Sequence, residues 1–189
     1  MSANNPKDSP ANEMFDLFGP PPLIRGEDVT RYWRLNAAVE DDIKPKDFFD
    51  KVRVRDTTDK LWERQRCKSS AAALVESFKI EALESLLRPF VPPPTMSFGE
   101  DAETVMARDY FSGHAGGKRL EEITCLLEIH GITPEQIRAK AMQLCGNAIA
   151  MFNRMEAHCE KSLRTLRKDN ARRAADEDHA GDADEPNEV

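Results

Sequence analysis

Three carboxylates occur at helical spacing in the first half of the chain. Asp56, Asp59 and Glu63 are three and four residues apart, so they share one face of a helix. Helical bundles that bind two metals use such carboxylates together with Glu-x-x-His pairs, and the sequence has no such pair. Arg55 can pair with Asp59, and Asp56 with Lys60, at i,i+4 spacing, so structural ion pairs account for the pattern. The alternative is a partner-binding face formed by Arg55, Asp56, Asp59, Trp62 and Glu63.

The cysteines and histidines give no second pattern with catalytic or metal-binding spacing. Cys67, Cys125, Cys145 and Cys159 occur singly, without a C-x-x-C pair. Cys145 and Cys159 would be about 21 Å apart on one helix, so they cannot share a metal or a disulfide within it. His158 adjoins Cys159 but points about 100° away around the helix, and no orienting third group is evident. We therefore predict reduced, buried thiols, no catalytic residue, no metal and no cofactor, and a protein that is not an enzyme.

Two segments resemble nucleotide-binding or DNA-binding motifs only in outline. The segment from Gly113 to Lys118 lacks the spacing of a phosphate-binding loop, which favours a flexible turn. Residues 120–140 read as helix, turn and capped helix, as in a helix-turn-helix. Its second helix, however, opens with Pro134 and Glu135 and is predicted to continue for about 40 residues, which argues against major-groove recognition.

The charge of the chain is concentrated at its C-terminal end. The 27 Lys and Arg residues stand against 34 Asp and Glu, and seven of those acids lie in residues 176–189, which have no Lys or Arg. We expect this acidic tail to be disordered. A basic stretch precedes it, and it reads either as a solvated helix or as a surface that binds backbone phosphate. The candidate phosphate-contacting residues are Arg164, Arg167, Lys168, Arg172 and Arg173.

The N-terminal segment, residues 1–26, is rich in proline, which favours extended chain. Its apolar residues Phe15, Leu17 and Phe18 indicate either an anchor packed on the body of the protein or a peptide that binds a partner. The first residues lack the apolar segment of a signal peptide, and no apolar run approaches the roughly 20 residues needed to span a bilayer. We expect a soluble, cytoplasmic protein without membrane contact.

Apolar periodicity predicts helices and no strand over the rest of the chain. A first helix is predicted to end before Pro45. A second runs over residues 46–88, because no Gly or Pro interrupts it, although a break near 68–70 is the alternative. Apolar residues at both ends of this helix flank a polar middle. We predict an all-α, elongated bundle of about five helices, with one helical domain over 27–175.

The second half of the chain has the clearest helix-start signals. A capping box at Ser97 is predicted to open a short helix that Gly113 ends. Gly131 is predicted to end a further helix, and Thr133 then caps a long helix over residues 134–173, with Pro134 in its first turn. An apolar stripe along this long helix is typical of an antiparallel hairpin or a coiled coil. Gly146 within it indicates close approach of a neighbouring helix.

The chain also resembles a known family. The resemblance rests on residues 42–47, then on Val54-Arg55-Asp56, Asp59 and Trp62-Glu63-Arg64, and on Ile149, Phe152, Arg154, Met155, Glu156 and Leu163-Arg164. These are similar to a family of uncharacterised proteobacterial proteins that combine a V-R-D-x-x-D-x-x-W-E helix with a long C-terminal helix rich in Arg and Leu. The chain departs from that pattern at Thr57-Thr58 and at residues 65–68. The resemblance implies a helical fold and no particular reaction.

These patterns favour a helical interaction or scaffold protein that associates with itself or with another protein through its long helices. Thin apolar stripes on helices about 60 Å long are buried poorly within one small chain, which favours association. The alternative is an accessory protein that binds nucleic-acid backbone phosphate through the basic C-terminal helix.

Overall fold

The structure, a computed structural model, describes residues 17–91, 101–113 and 116–181. In that part of the chain the protein is all-helical and has no β-strand, which confirms the predicted fold class. None of the helices described is both long and apolar enough to traverse a lipid bilayer. The complete helices are α1 (Val29–Ile43), α2 (Phe48–Ser77), α3 (Lys79–Leu87), α4 (Ala102–Ser112), α5 (Gly117–Ile129), α6 (Pro134–Leu144) and α7 (Gly146–Gly181).

Contacts between residues divide the chain into two compact units, where the sequence predicted one helical domain over 27–175. The first unit comprises the described residues of Met1–Cys67 and Met155–Val189, and the second is Lys68–Arg154. The first unit therefore holds α1, the first part of α2 and the C-terminal part of α7. The second unit holds the end of α2, the helices α3 to α6, and the start of α7.

In the first unit, α1 begins and ends at clear signals. Asp28 caps its N-terminus, because its carboxylate accepts hydrogen bonds from the backbone N–H groups of Thr30 at 2.8 Å and Arg31 at 3.3 Å. Lys44 ends it in a left-handed conformation, with φ at +52°, and Pro45 follows. Val39 and Val54 form a small buried cluster, and the partly buried hydrophobic residues packed on it are Phe18, Trp33, Leu35, Ile43 and Leu61. Other buried apolar residues of this unit are Tyr32, Trp62, Cys67, Cys159 and Leu163.

The long helix predicted over 46–88 is two helices. The backbone is helical through residues 68–70, so the predicted alternative break there is wrong. The interruption falls at Phe78, whose N–H is shared between the carbonyls of Leu74 and Val75 at 3.2 Å each. The Phe78 side chain packs on the core of the second unit, so burial of an aromatic ring accompanies the break.

In the second unit, α3 packs against both α4 and α6. Its residues Ala82, Leu83 and Leu87 are fully buried. They form one apolar cluster with residues of α4, α5 and α6, which supplies the core of this unit. The other buried members of the cluster are Ala107, Ile123, Leu127, Ile132, Ile137 and Ala141.

The connection between α5 and α6 follows the sequence prediction. Gly131 has φ at +65°, and the N–H of Ile132 donates to the carbonyl of Leu127 at 2.8 Å, as in a Schellman-type helix end. Thr133 and Gln136 form the predicted capping box, each side chain accepting a hydrogen bond from the other's backbone N–H. Ile132 is buried on the same cluster as the first turn of α6.

The long helix predicted over 134–173 is also divided. It is interrupted at Cys145, which is buried and whose Sγ contacts the carbonyl oxygen of Ala141 at 3.0 Å. Gly146 does not mark a close helix contact, because a Cβ atom there would meet no described atom within 4 Å. At its other end α7 continues to Gly181, so the backbone of residues 176–181 is helical where a disordered tail was predicted from residue 176. Residues 182–189 lie outside the described part of the chain.

The N-terminal segment is described only from Leu17 onward. Phe18 packs on the apolar cluster of the first unit, which confirms the anchor interpretation for this residue, whereas Leu17 is 46% exposed. Phe15 lies outside the described residues, as does the capping box predicted at Ser97. The helix end predicted at Gly113 is confirmed, since this glycine follows α4 with φ at +65°.

Candidate functional site

A buried polar network connects α1 to α2 in the first unit. Arg55, only 6% exposed, donates from Nε to Asp59 at 3.2 Å and from Nη2 to the carbonyl oxygen of Pro20 at 2.9 Å. The hydroxyl of Tyr32 donates to the other carboxylate oxygen of Asp59. Burial, and then this hydrogen bond to Asp59, raise the pKa of Tyr32 above its usual value. The network holds α1, and the residues that precede α1 in the chain, against α2.

A second set of hydrogen bonds converges on Glu27. Its carboxylate accepts hydrogen bonds from the indole N–H of Trp62 at 3.0 Å, from Arg66 Nε at 2.7 Å and from the backbone N–H of Ile24 at 3.0 Å. Arg66 also donates to the carbonyl oxygen of Pro22 at 2.8 Å. Chiefly the hydrogen bond from Arg66 lowers the pKa of Glu27 to about 2.

The predicted partner-binding face is therefore largely occupied by the protein's own residues. Arg55 and Trp62 are buried and Asp59 is partly buried, and all three have hydrogen-bond partners before or within α1. Glu63 pairs with Lys60 at 2.8 Å, and Lys60 acts on Asp56 only as a nearby positive charge, because the described residues include no ion pair between the two. Of the five residues, only Asp56 is exposed.

Asp56 lies at one end of a groove between α2 and α7 in the first unit, which we call the α2–α7 groove. The groove has a volume of about 620 Å³. Although Asp56 is exposed, partial desolvation by the groove, and then the negative charge of Asp59, raise its pKa. The charged and apolar side chains that line the groove are Asp56, Asp59 and Lys60 on α2 and His158, Lys161 and Leu166 on α7.

Two buried thiols lie beside Glu63, on the same pair of helices. Burial raises the pKa of Cys67, and burial together with the charge of Glu63 raises the pKa of Cys159 to about 11. A nucleophilic cysteine requires the opposite shift. All four cysteines are free thiols, but Cys125 is exposed, so the prediction of buried thiols is wrong for this residue. The described residues include no cluster of three or more residues suited to hold a metal ion.

The basic residues predicted to contact phosphate divide into two groups on α7. Arg164, Arg167, Lys168 and Arg172 are exposed. Arg173 instead donates to Asp50 at 3.0 Å and lies 3.6 Å from Asp47. These carboxylates offset the charge of Arg173, and its role as a phosphate contact stays a prediction.

Sequence reasoning missed an exposed aromatic cluster at the start of α2. Phe48 is 54% exposed and Phe49 is 64% exposed, and their ring centroids are 5.9 Å apart. The ring of Phe18 lies 6.0 Å from that of Phe48, so the three rings are continuous. We call Phe18, Phe48 and Phe49 the aromatic cluster. The sequence showed these apolar residues, but apolar spacing does not distinguish an exposed helix end from a buried one.

The second unit has its own groove, of about 540 Å³, between the end of α3 and α6. At its edge the rings of Phe90 and His130 stack with centroids 3.9 Å apart. The apolar lining includes Leu86 and Ile132, and the polar rim includes Lys140. The groove thus combines an apolar lining with a polar rim. Its described lining residues include no acidic side chain that could act with a base in catalysis.

Comparison of the chain with protein-family models, with curated proteins and with solved structures finds no match. The resemblance drawn from residues 42–64 and 149–164 therefore stays a prediction.

Proposed function

We propose that this protein is a non-enzymatic helical interaction protein that associates with a second copy of itself through the aromatic cluster at the start of α2. The observation that carries the proposal is the exposure of two adjacent phenylalanines on the surface of the first unit. Buried aromatic residues commonly supply most of the energy of a protein–protein contact, and exposed ones cost solubility. Free thiols are typical of a reducing compartment, so we place this association in the cytoplasm.

The charges around the aromatic cluster favour a second copy as the partner. The exposed residues just before it in the chain carry both signs, with Asp41, Asp42 and Asp47 interspersed with Lys44 and Lys46. A two-fold symmetric contact places the same patch on both sides, so a surface of one sign would repel itself. A mixed surface can place opposite charges against each other across the axis.

The double substitution Phe48→Ser and Phe49→Ser is expected to weaken self-association at least about 30-fold, as loss of two aromatic anchors implies. Sedimentation velocity over a range of protein concentrations measures the effect. Both positions are exposed, so circular dichroism should show unchanged helix content.

Ile129→Ser is the matched control for this experiment. Ile129 is 71% exposed on α5 in the second unit, so its replacement removes a large exposed apolar side chain at a different place. The control should associate like the unaltered protein. A chain that stays monomeric at every concentration, or a double variant that associates normally, would contradict the proposal.

A second candidate function is binding of nucleic-acid phosphate by α7. It is favoured by one observation: Arg164, Lys168 and Arg172 are exposed and lie within about 80° of one another around the helix. Arg164 lies 3.6 Å from Glu160, but its side chain is 76% exposed and remains accessible. Three phosphate contacts imply a log–log dependence of affinity on salt with a slope near −3.

Replacing Lys168 and Arg172 by glutamate is expected to lower the affinity for duplex DNA by at least tenfold at low salt and to flatten the salt dependence. Deleting residues 182–189, which contain four acids, should raise that affinity. Fluorescence anisotropy with a labelled duplex measures both effects. Lys140→Glu, on α6, is the control. Equal binding by the double variant and the unaltered protein excludes this function.

A further inference from the structure

The α2–α7 groove of the first unit has opposite charges at its two ends. Two interhelix ion pairs, Arg64 with Glu160 at 2.8 Å and Arg173 with Asp50 at 3.0 Å, set the helices antiparallel. In that register Lys161 lies level with residues 62–63 of α2. It is therefore displaced from Asp56 by about six or seven residues, or about 10 Å along the helix axis.

The acidic end of the groove is formed by Asp56 and Asp59. Tyr32 and Arg55 occupy the oxygens of Asp59, whereas no hydrogen bond or ion pair of the Asp56 carboxylate occurs within the described residues. Burial and the neighbouring carboxylate both raise the pKa of Asp56, which means that its negative charge lacks full compensation. A cation bound there would supply that compensation.

The basic end is formed by Lys161 and His158, both exposed on α7. Lys60, which also lines the groove, already pairs with Glu63, so the two cancel each other's charge. The hydroxyls of Ser162 and Thr165 donate to carbonyls of their own helix at 3.1 and 3.2 Å. Lys161 is thus left as the charged donor available to a carboxylate.

We propose that the α2–α7 groove binds a short zwitterionic peptide of about three residues, with its amino group at Asp56 and its carboxylate at Lys161 and His158. An extended tripeptide spans about 10 Å, which matches the separation of the two ends. The volume of about 620 Å³ lies within the range of small-molecule sites. Leu166 offers an apolar wall to a side chain of the ligand.

Isothermal titration calorimetry of the full-length protein with trialanine tests the proposal. Trialanine should bind, and N-acetylation or C-terminal amidation of the peptide should each weaken binding at least tenfold, because each removes one of the two charges. Free alanine should bind at least tenfold more weakly than trialanine, since it cannot span both ends. These comparisons alter only the ligand, so they do not depend on the folding of a variant.

Two variants locate the site. Asp56→Asn should abolish the preference for the free amino group, and Lys161→Gln should abolish the preference for the free carboxylate. Asp41→Asn and Arg34→Gln make the same changes of charge at exposed positions of α1 and should bind trialanine normally. Absence of heat up to 10 mM trialanine, on the order of the weakest specific affinities, overturns the proposal, as does binding that is indifferent to both caps.

Discussion

Replacing Leu83 by alanine is expected to lower the free energy of unfolding by about 2–5 kcal/mol. Leu83 is fully buried on α3, the helix that packs against both α4 and α6. Truncation leaves a cavity where three helices meet, and the backbone of a short helix held on two sides has little freedom to close it. Urea unfolding followed by circular dichroism gives the change directly.

Ile80→Ala on the same helix separates loss of packing from loss of an apolar side chain. Ile80 is 39% exposed, so its truncation should cost about 1 kcal/mol or less. The informative quantity is the ratio of the losses in unfolding free energy caused by Leu83→Ala and by Ile80→Ala. Equal destabilisation by both would mean that α3 is not the centre of the second unit.

Local signals in the sequence predicted local structure well. The capping box at Thr133 and the helix ends at Gly113 and Gly131 depend on residues at most five positions apart, and each is present. The pairing of Arg55 with Asp59 at i,i+4 is of the same kind. Such features are governed by backbone geometry and near neighbours, which a single sequence contains in full.

The positions of the helix interruptions could not be predicted from such local signals. No Gly or Pro marks Phe78, and Gly146 lies one residue after the break at Cys145. Both interruptions coincide with burial, because Phe78 packs on the core of the second unit and Cys145 is buried. Tertiary packing decides such positions, and intrinsic propensity contributes little to them.

The candidate site was predicted in part. The sequence placed Asp56, Asp59 and Glu63 on one helical face, but the residues that occupy that face come from far along the chain. Glu27 reaches Trp62 across 35 residues and Arg66 across 39. Neither charge pattern nor periodicity relates residues at such separations. The sequence therefore could not show that the carboxylate of Asp59 accepts hydrogen bonds within the protein whereas, among the described residues, that of Asp56 does not.

Glu27→Gln is expected to reduce the free energy of unfolding at neutral pH by about 3 kcal/mol, since a fall in pKa from 4.5 to about 2 corresponds to that energy. The Glu27 side chain is only 17% exposed, so solvent screens its ion pair with Arg66 weakly. Glutamine retains the size of the side chain but lacks the negative charge to which Arg66 and the indole N–H of Trp62 both donate hydrogen bonds.

The same contact has a defined pH dependence. Because the folded-state pKa lies below the unfolded value, the stabilisation is complete above about pH 4.5 and is lost as the pH falls toward 2. The unaltered protein and Glu27→Gln should therefore differ by about 3 kcal/mol at pH 6 and converge near pH 2. Urea unfolding at a series of pH values, monitored by tryptophan fluorescence, measures both curves.

Glu76→Gln is the control for this pH series. Glu76 pairs with Lys79 within 2.5 Å but its side chain is 61% exposed, so its replacement should shift stability by about 0.5 kcal/mol or less at every pH. Asp50 and Glu63, whose pKa values are also lowered, contribute to the acid instability of all three proteins alike. Curves for Glu27→Gln that run parallel to those of the unaltered protein down to pH 2 would show that Glu27 does not hold the residues before α1 on α2.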